Sequence, residues 1–294
     1  MKFGWRAALS ALAFVVAIAS GAGATDPEHA SGVARRVVTL SPHLAELVFA
    51  VGAGESLVGV SAYSDYPQAA GALPQVGDAF MVDQERLALL KPDLVLAWES
   101  GTPAATVDAL RKQGYDVERV RTRSLADVAA AIDTIGRRTG RERSASAVRA
   151  KFEAQLAELS HADREAAPIR VFYQIAERPL YTVSGSHYAS ELIERCGGQN
   201  IFADLGDLAP MVSEEAVLAR DPEVIIAGGD ESPKDALFDQ WRRWDGLAAT
   251  RMDNFYVVNA DRLGRPSNRL TLAGAEICAQ LSRARNRRQQ MVSQ

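Results

Sequence analysis

One stretch of this chain occurs twice. The first copy runs from Glu85 to Ala97 and the second from Glu215 to Ala227, a constant offset of 130 residues. Each copy sets a Glu seven positions before a Pro, Pro92 or Pro222, with an apolar helical turn between. An acid and a short aliphatic run follow the Pro, ending in Leu94–Ala97 or Val224–Ala227. Proline disfavours helix at the residue before it, so it ends the turn. An aliphatic run bounded by turn residues reads as a strand buried on both faces of a parallel sheet. Two such units predict two similar α/β lobes, one per copy.

The flanking segments carry the same alternation. Arg36–Leu40 reads as a strand, and Ser41-Pro42 as N-cap and first position of a helix, with Glu46 as an early acid. Leu57–Val60 and Asp116–Val120 read as strands, and Thr106–Gln113 as a helix. Ser124 and Asp127 form a capping-box-like start to one long helix over 123–160, with a break near Gly140 as the weak point. It separates an N-terminal lobe, 35–122, from a C-terminal lobe, 168–294. In the second lobe Arg170–Ile175, Leu180–Ser184 and Phe255–Val258 read as strands, and Tyr188–Arg195 and Asp235–Leu247 as helices. Asp261–Asn268 reads as a polar loop. The last helix, Leu270–Arg288, ends in Arg283, Arg285, Arg287 and Arg288, a solvated end favoured by the helix dipole. Strands alternating with helices give an α/β fold with parallel sheets.

Residues 1–24 are set apart. Lys2 and Arg6 precede the apolar run Ala7–Ala19, and Ala22-Gly23-Ala24 closes it, the pattern of a cleaved secretory signal peptide. The run is too short for a stable membrane anchor. The expected destination is the periplasm. Removing this segment takes the net charge from −4 to −6, which argues against a nucleic-acid partner. Cys196 and Cys278 are the only cysteines. In an oxidising compartment an isolated pair reads as a disulfide, with two buried thiols as the alternative. No metal site is expected, since two cysteines are too few for zinc and the four histidines lack ligand spacing.

The chain has no glycine-rich phosphate loop and no GxSxG elbow, so an enzyme is not the reading, though a secreted enzyme with an unrecognised site is the alternative from another class. His43 and His187 each follow a strand near a helix start and read as polar caps or rim residues, with contact to a metal or chelate as the alternative. The aromatics say more. Tyr63, Phe80 and Trp98 lie after strands or in loops of the first lobe, Tyr181 in the equivalent zone of the second, and Arg265 in the late polar loop. Ligands of open α/β sheets bind beyond the carboxyl ends of the strands, so these residues suggest a wall for a large, flat, partly apolar ligand. Core packing is the alternative for Trp98 and Tyr181. Glu85 and Glu215 open the two copies, and in equivalent lobes their carboxylates would flank the cleft mouth, where a symmetric partner could meet them.

Val38–Pro42, Gly59–Pro67, Lys91–Val95 and Cys196–Phe202 resemble the periplasmic cobalamin-binding proteins of ABC importers, the BtuF type, and the similarity covers residues 35–283. The resemblance implies two Rossmann-like lobes joined by one long connecting helix, with little hinge motion and the ligand between the lobes. It implies capture of a corrinoid, with cobalamin first, by a monomer with no cofactor, and delivery to a membrane permease and its ATPase. The family's paired cysteines match Cys196 and Cys278, its cleft residues Tyr63, Trp98, Tyr181 and Arg265, and its docking glutamates Glu85 and Glu215. Two tryptophans that face the corrin in the family fall here on Ala79 and Ala209, with Phe80 and Met211 close by. Haem and ferric-siderophore binding are the alternatives. Haem-binding relatives carry a Tyr iron ligand where Asp78 stands, and an anionic siderophore would want more cleft arginines than Arg265.

Overall fold

The computed structural model describes residues 1, 32–78, 81–159, 167–229 and 237–293. The expected signal peptide, beyond Met1, and Phe80 lie outside the described residues.

Strand β1 (Val37–Thr39) feeds helix α1 (Pro42–Ala50), whose first position is Pro42. Then come β2 (Leu57–Gly59), α2 (Gln84–Leu90), β3 (Leu94–Trp98), α3 (Ala104–Lys112) and β4 (Val117–Val120). Their parallel sheet has the order β2-β1-β3-β4. Helices α4 (Leu125–Arg138) and α5 (Glu142–Glu158) follow. The second half begins with β5 (Ile169–Gln174) and a small antiparallel hairpin, β6 (Ala176–Glu177) and β7 (Leu180–Tyr181). Next are α6 (Tyr188–Arg195), β8 (Gly198–Asn200), α7 (Glu214–Arg220) and β9 (Val224–Gly229). The chain closes with α8 (Asp239–Arg242), α9 (Ala248–Arg251), β10 (Phe255–Asn259), α10 (Ala260–Gly264) and α11 (Leu270–Val292). The second parallel sheet has the order β10-β9-β5-β8, so β5, β8, β9 and β10 take the places of β1, β2, β3 and β4.

The repeat is legible down to single hydrogen bonds. Asp83 caps α2 by accepting from the Arg86 amide, and Ser213 caps α7 by accepting from that of Ala216. Both helices end on a left-handed residue before the Pro, Lys91 (φ +44°) and Asp221 (φ +42°). A residue before proline is pushed out of the helical region, and here it takes the left-handed one. Arg36 Nε donates to Lys91 O (3.2 Å), as Arg170 Nε donates to Asp221 O (2.9 Å). Asp93 accepts from the Arg36 amide (2.9 Å), as Glu223 accepts from the Arg170 amide (3.0 Å). Leu94–Ala97 and Val224–Ala227 are buried throughout, as interior parallel strands require.

Four expectations change. The helix over 123–160 is two helices, α4 and α5, packed as a hairpin. Thr139 Oγ1 donates to Ile135 O (2.7 Å), Gly140 turns the chain at φ +66°, and a Cβ on Gly136 would meet Ala145 Cβ at 2.2 Å. The glycines therefore set both the turn and the close approach. Of the helix over 235–247, the described residues hold only α8, whose Trp241 is wholly buried and donates Nε1–H to Gln174 Oε1 (2.7 Å). The loop over 261–268 begins as α10, capped by Asn259. The arginines of α11 are not simply solvated. Arg285 donates to the Cys196 and Gly197 carbonyls, Arg287 to those of Met252 and Asp253, and Arg288 to those of Ala167 and Pro168. They close off loops at the amino-terminal side of the second sheet.

One continuous apolar cluster runs from Val37 and Leu94 through Ile132 and Phe152 to Val171, Val224 and Ile277. The two sheets therefore share a core, and Gly32–Gln294 is a single compact unit. Within it Cys196, at the end of α6, is bonded to Cys278 of α11 as expected. In the chain-entropy account a bridge closing an 82-residue loop is worth about 4–5 kcal/mol.

Candidate functional site between the lobes

The lobes meet beyond the carboxyl ends of their strands, around a carboxylate that the sequence showed only as a helix-start acid. Glu46 lies on α1 with its side chain 1% exposed. Three residues from the far lobe reach it. Ser267 Oγ donates to Oε2 (2.6 Å), Arg269 Nη1 to Oε1 (2.9 Å), and Arg265 Nη1 to Oε1 (3.4 Å). Arg265 also pairs with Asp65 (2.5 Å) and, one turn away, with Asp261 (2.9 Å). The Arg269 guanidinium lies 3.8 Å from the centre of the Tyr66 ring. Burial pushes the Glu46 carboxyl up, while Ser267, Arg269 and Arg265 pull it down. The hydrogen bond from Arg265 holds the Asp65 carboxyl below its usual range.

One turn before Glu46, His43 is 2% exposed. Its Nδ1 lies 2.7 Å from Ser41 Oγ, and its Nε2 is buried with no partner. Burial, aided by the charge of Arg265, lowers its pKa to about 3. The ring stands edge-on to Trp98, with centroids 5.1 Å apart. Trp98 is half-buried, closes β3, and lies over Gly101, where a Cβ would come within 2.0 Å of the indole. Its Nε1 is also buried without a partner, as are Thr39 Oγ1 and Thr122 Oγ1 beside the same sheet edge. Polar atoms left unpaired on burial are uncommon, and here four gather at the end of one sheet.

The other expected residues sit as follows. Tyr63 is 78% exposed and held at φ +64°, a conformation that bulky side chains rarely take and that marks functional loops. Tyr181 is half-buried and bridges to Met211 across a short antiparallel contact. Arg265 is engaged by Glu46, Asp65 and Asp261, so an anionic ligand would have to compete with three carboxylates. Glu85 and Glu215 are exposed in the first turns of α2 and α7. His187 is the N-cap of α6, its Nδ1 accepting from the Ala189 amide (3.1 Å), as the cap reading had it. Among the described residues no group of His, Cys, Asp or Glu could hold a metal ion. Sequence reasoning missed Glu46, Ser267 and Arg269. Their one sequence signal was the pair of arginines four residues apart in a polar segment, and their partner lies more than 200 residues away.

Comparison with known proteins fits this geometry. The family profile described as periplasmic binding protein matches residues 37–261. The chain belongs to the periplasmic binding protein family. It is 32% identical over 264 residues to the vitamin B12-binding protein of Vibrio campbellii, covering 90% of this chain and 95% of that one. The crystal structure of the periplasmic vitamin B12-binding protein BtuF of Vibrio cholerae superposes with a TM-score of 0.77 at 34% identity, covering 86% and 98%. A periplasmic heme-binding protein, BhuT, in complex with two hemes gives a TM-score of 0.75 at 25% identity, covering 86% and 99%. The family is one of binding proteins and not of enzymes, which agrees with the lack of a catalytic motif.

The depressed His43 pKa makes a prediction. Its folded value lies below the unfolded one, so its stability contribution is complete above pH 6.5 and is lost as pH falls toward 3. Each pH unit in that window costs about 1.4 kcal/mol, so about 2 kcal/mol between pH 7 and pH 5. Urea unfolding of wild type and His43→Asn at both pH values should show the variant losing less by that amount. Imidazole resonances of His43 that titrate near pH 6.5 would contradict the burial.

Proposed function

We propose that this protein captures a corrinoid, with cobalamin as the reference ligand, in the periplasm and delivers it to the permease and ATPase of an ABC importer. The observation that carries the reading is the likeness, over nearly the whole chain, to proteins that bind vitamin B12. The site agrees with it. Tyr63, Trp98 and Tyr181 offer aromatic area with polar handles, which suits a macrocycle edged by amides, and Phe80 and Arg265 complete the proposed set. The protein does no chemistry on the ligand. Haem is the weaker reading, because Asp78 stands where a tyrosine ligand is expected and its Oδ1 accepts from the Met81 amide (2.8 Å).

Calorimetric titration with cobalamin, cobinamide and haemin tests the choice. Cobalamin should bind tightest. Tyr63 is the cleanest single probe, since its exposed ring loses no core packing on truncation. Tyr63→Ala should weaken binding by roughly 1–2 kcal/mol, about tenfold, with unfolding unchanged. Tighter binding of haemin than of cobalamin would replace the reading.

Docking is proposed to run through Glu85 and Glu215. Both are exposed, both lie in a first helical turn, and both hold the same place in the repeat. A two-fold permease could pair each with an arginine, a geometrically specific contact. Glu85→Lys with Glu215→Lys should leave ligand affinity intact and abolish uptake into reconstituted vesicles. Transport at the wild-type rate would remove the docking role.

A further inference from the structure

The repeat extends to two methionines. Met81 and Met211 stand at the same 130-residue offset as the two glutamates. Each lies two residues before the N-cap of its helix, Asp83 for α2 and Ser213 for α7. Their relative exposures are 76% and 65%. A single exposed apolar side chain needs no explanation, but two at equivalent positions of a duplicated fold do.

The backbone around each is pinned while the side chain is left in solvent. In the first lobe Asp78 N–H donates to Met81 O (2.9 Å), the Met81 amide donates to Asp78 Oδ1 (2.8 Å), and the Asp83 amide to Val76 O (2.9 Å). Gly77, at φ +103°, admits that turn, since a Cβ there would meet Met81 O at 2.0 Å. In the second lobe Met211 bridges Tyr181, and the bonds from Thr182 N to Pro210 O (3.1 Å) and from Val212 N to Leu180 O (3.0 Å) hold it on either side. Thioethers are flexible and polarisable and make favourable contacts with π-systems. Equivalent positions on two lobes that face one another lie on opposite sides of whatever is held between them.

We propose that Met81 and Met211 are a pair of thioether jaws that contact opposite faces of one flat macrocycle in the cleft, an inference that rests on the corrinoid reading above. The hydrogen bonds beside Met81 and Met211 set the spacing, and the unbranched side chains adapt to the ligand.

Oxidation by hydrogen peroxide, followed by peptide mass spectrometry with and without saturating cobalamin, tests it. Sulfoxide formation at Met81 and Met211 should slow several-fold in the complex. Met291, 51% exposed on α11, should oxidise at the same rate in both and serves as the internal reference. The double variant Met81→Ala with Met211→Ala should bind cobalamin about tenfold more weakly, as two lost sulfur contacts imply. Tight cobalamin binding with both methionines unprotected, or an unchanged affinity in the double variant, would overturn the jaws alone. Failure of the unmodified protein to bind cobalamin would overturn the corrinoid reading, and the jaws with it.

Discussion

A carboxylate with 1% exposure holds the two lobes in register. Burying an ion is costly unless it is paired and its remaining lone pairs are satisfied. Glu46 meets both conditions only when the loop carrying Arg265, Ser267 and Arg269 lies against α1. Separating the lobes would expose or orphan three charged groups at once. Removing one partner of such a buried pair typically costs 3–5 kcal/mol, because the other charge stays behind. The shared apolar cluster beneath adds a second restraint, and the α4–α5 hairpin a third. The cleft is therefore preformed, its floor fixed before a ligand arrives.

A preformed cleft accounts for several features that look unrelated. Tyr63 is held in a left-handed conformation. A strained backbone persists only where its surroundings over-determine it, and the neighbouring Asp65–Arg265 pair provides that restraint. His43 can remain neutral because burial excludes water, aided by the charge of Arg265 nearby. Adaptability is left to the edges of the site, where the exposed side chains sit. The division is a hydrogen-bonded backbone and adaptable exposed side chains, which suits the proposed capture of a large ligand and its release to a partner.

The sequence made the duplication legible because its signals are local. A proline, the residue before it and the following aliphatic run fix a helix end and a strand within a dozen residues. The cap at Ser124 and the helix Tyr188–Arg195 were legible for the same reason. The pairing of Cys196 with Cys278 followed from composition and compartment. What stayed hidden depends on distant partners. Glu46 reads as an ordinary early acid of its helix, and nothing near it announces a ligand set more than 200 residues downstream. The arginines of α11 look like a solvated tail until the loops whose carbonyls they cap are folded against them. The break at Gly140 was visible as a weak point, but its consequence, a tight hairpin, depends on Gly136 meeting Ala145 across the turn.

The central claim is that the Glu46 cluster fixes the distance between the lobes. Double electron–electron resonance between spin labels on cysteines introduced at the exposed Asp108 and Asp245, one in each lobe, measures that distance directly. The account predicts one narrow distribution in the free protein, shifted by less than about 2 Å on adding cobalamin, and a broadened one in Glu46→Ala. A broad free-state distribution that narrows or shifts by more than that on ligand binding, with Glu46→Ala indistinguishable from wild type, would contradict it.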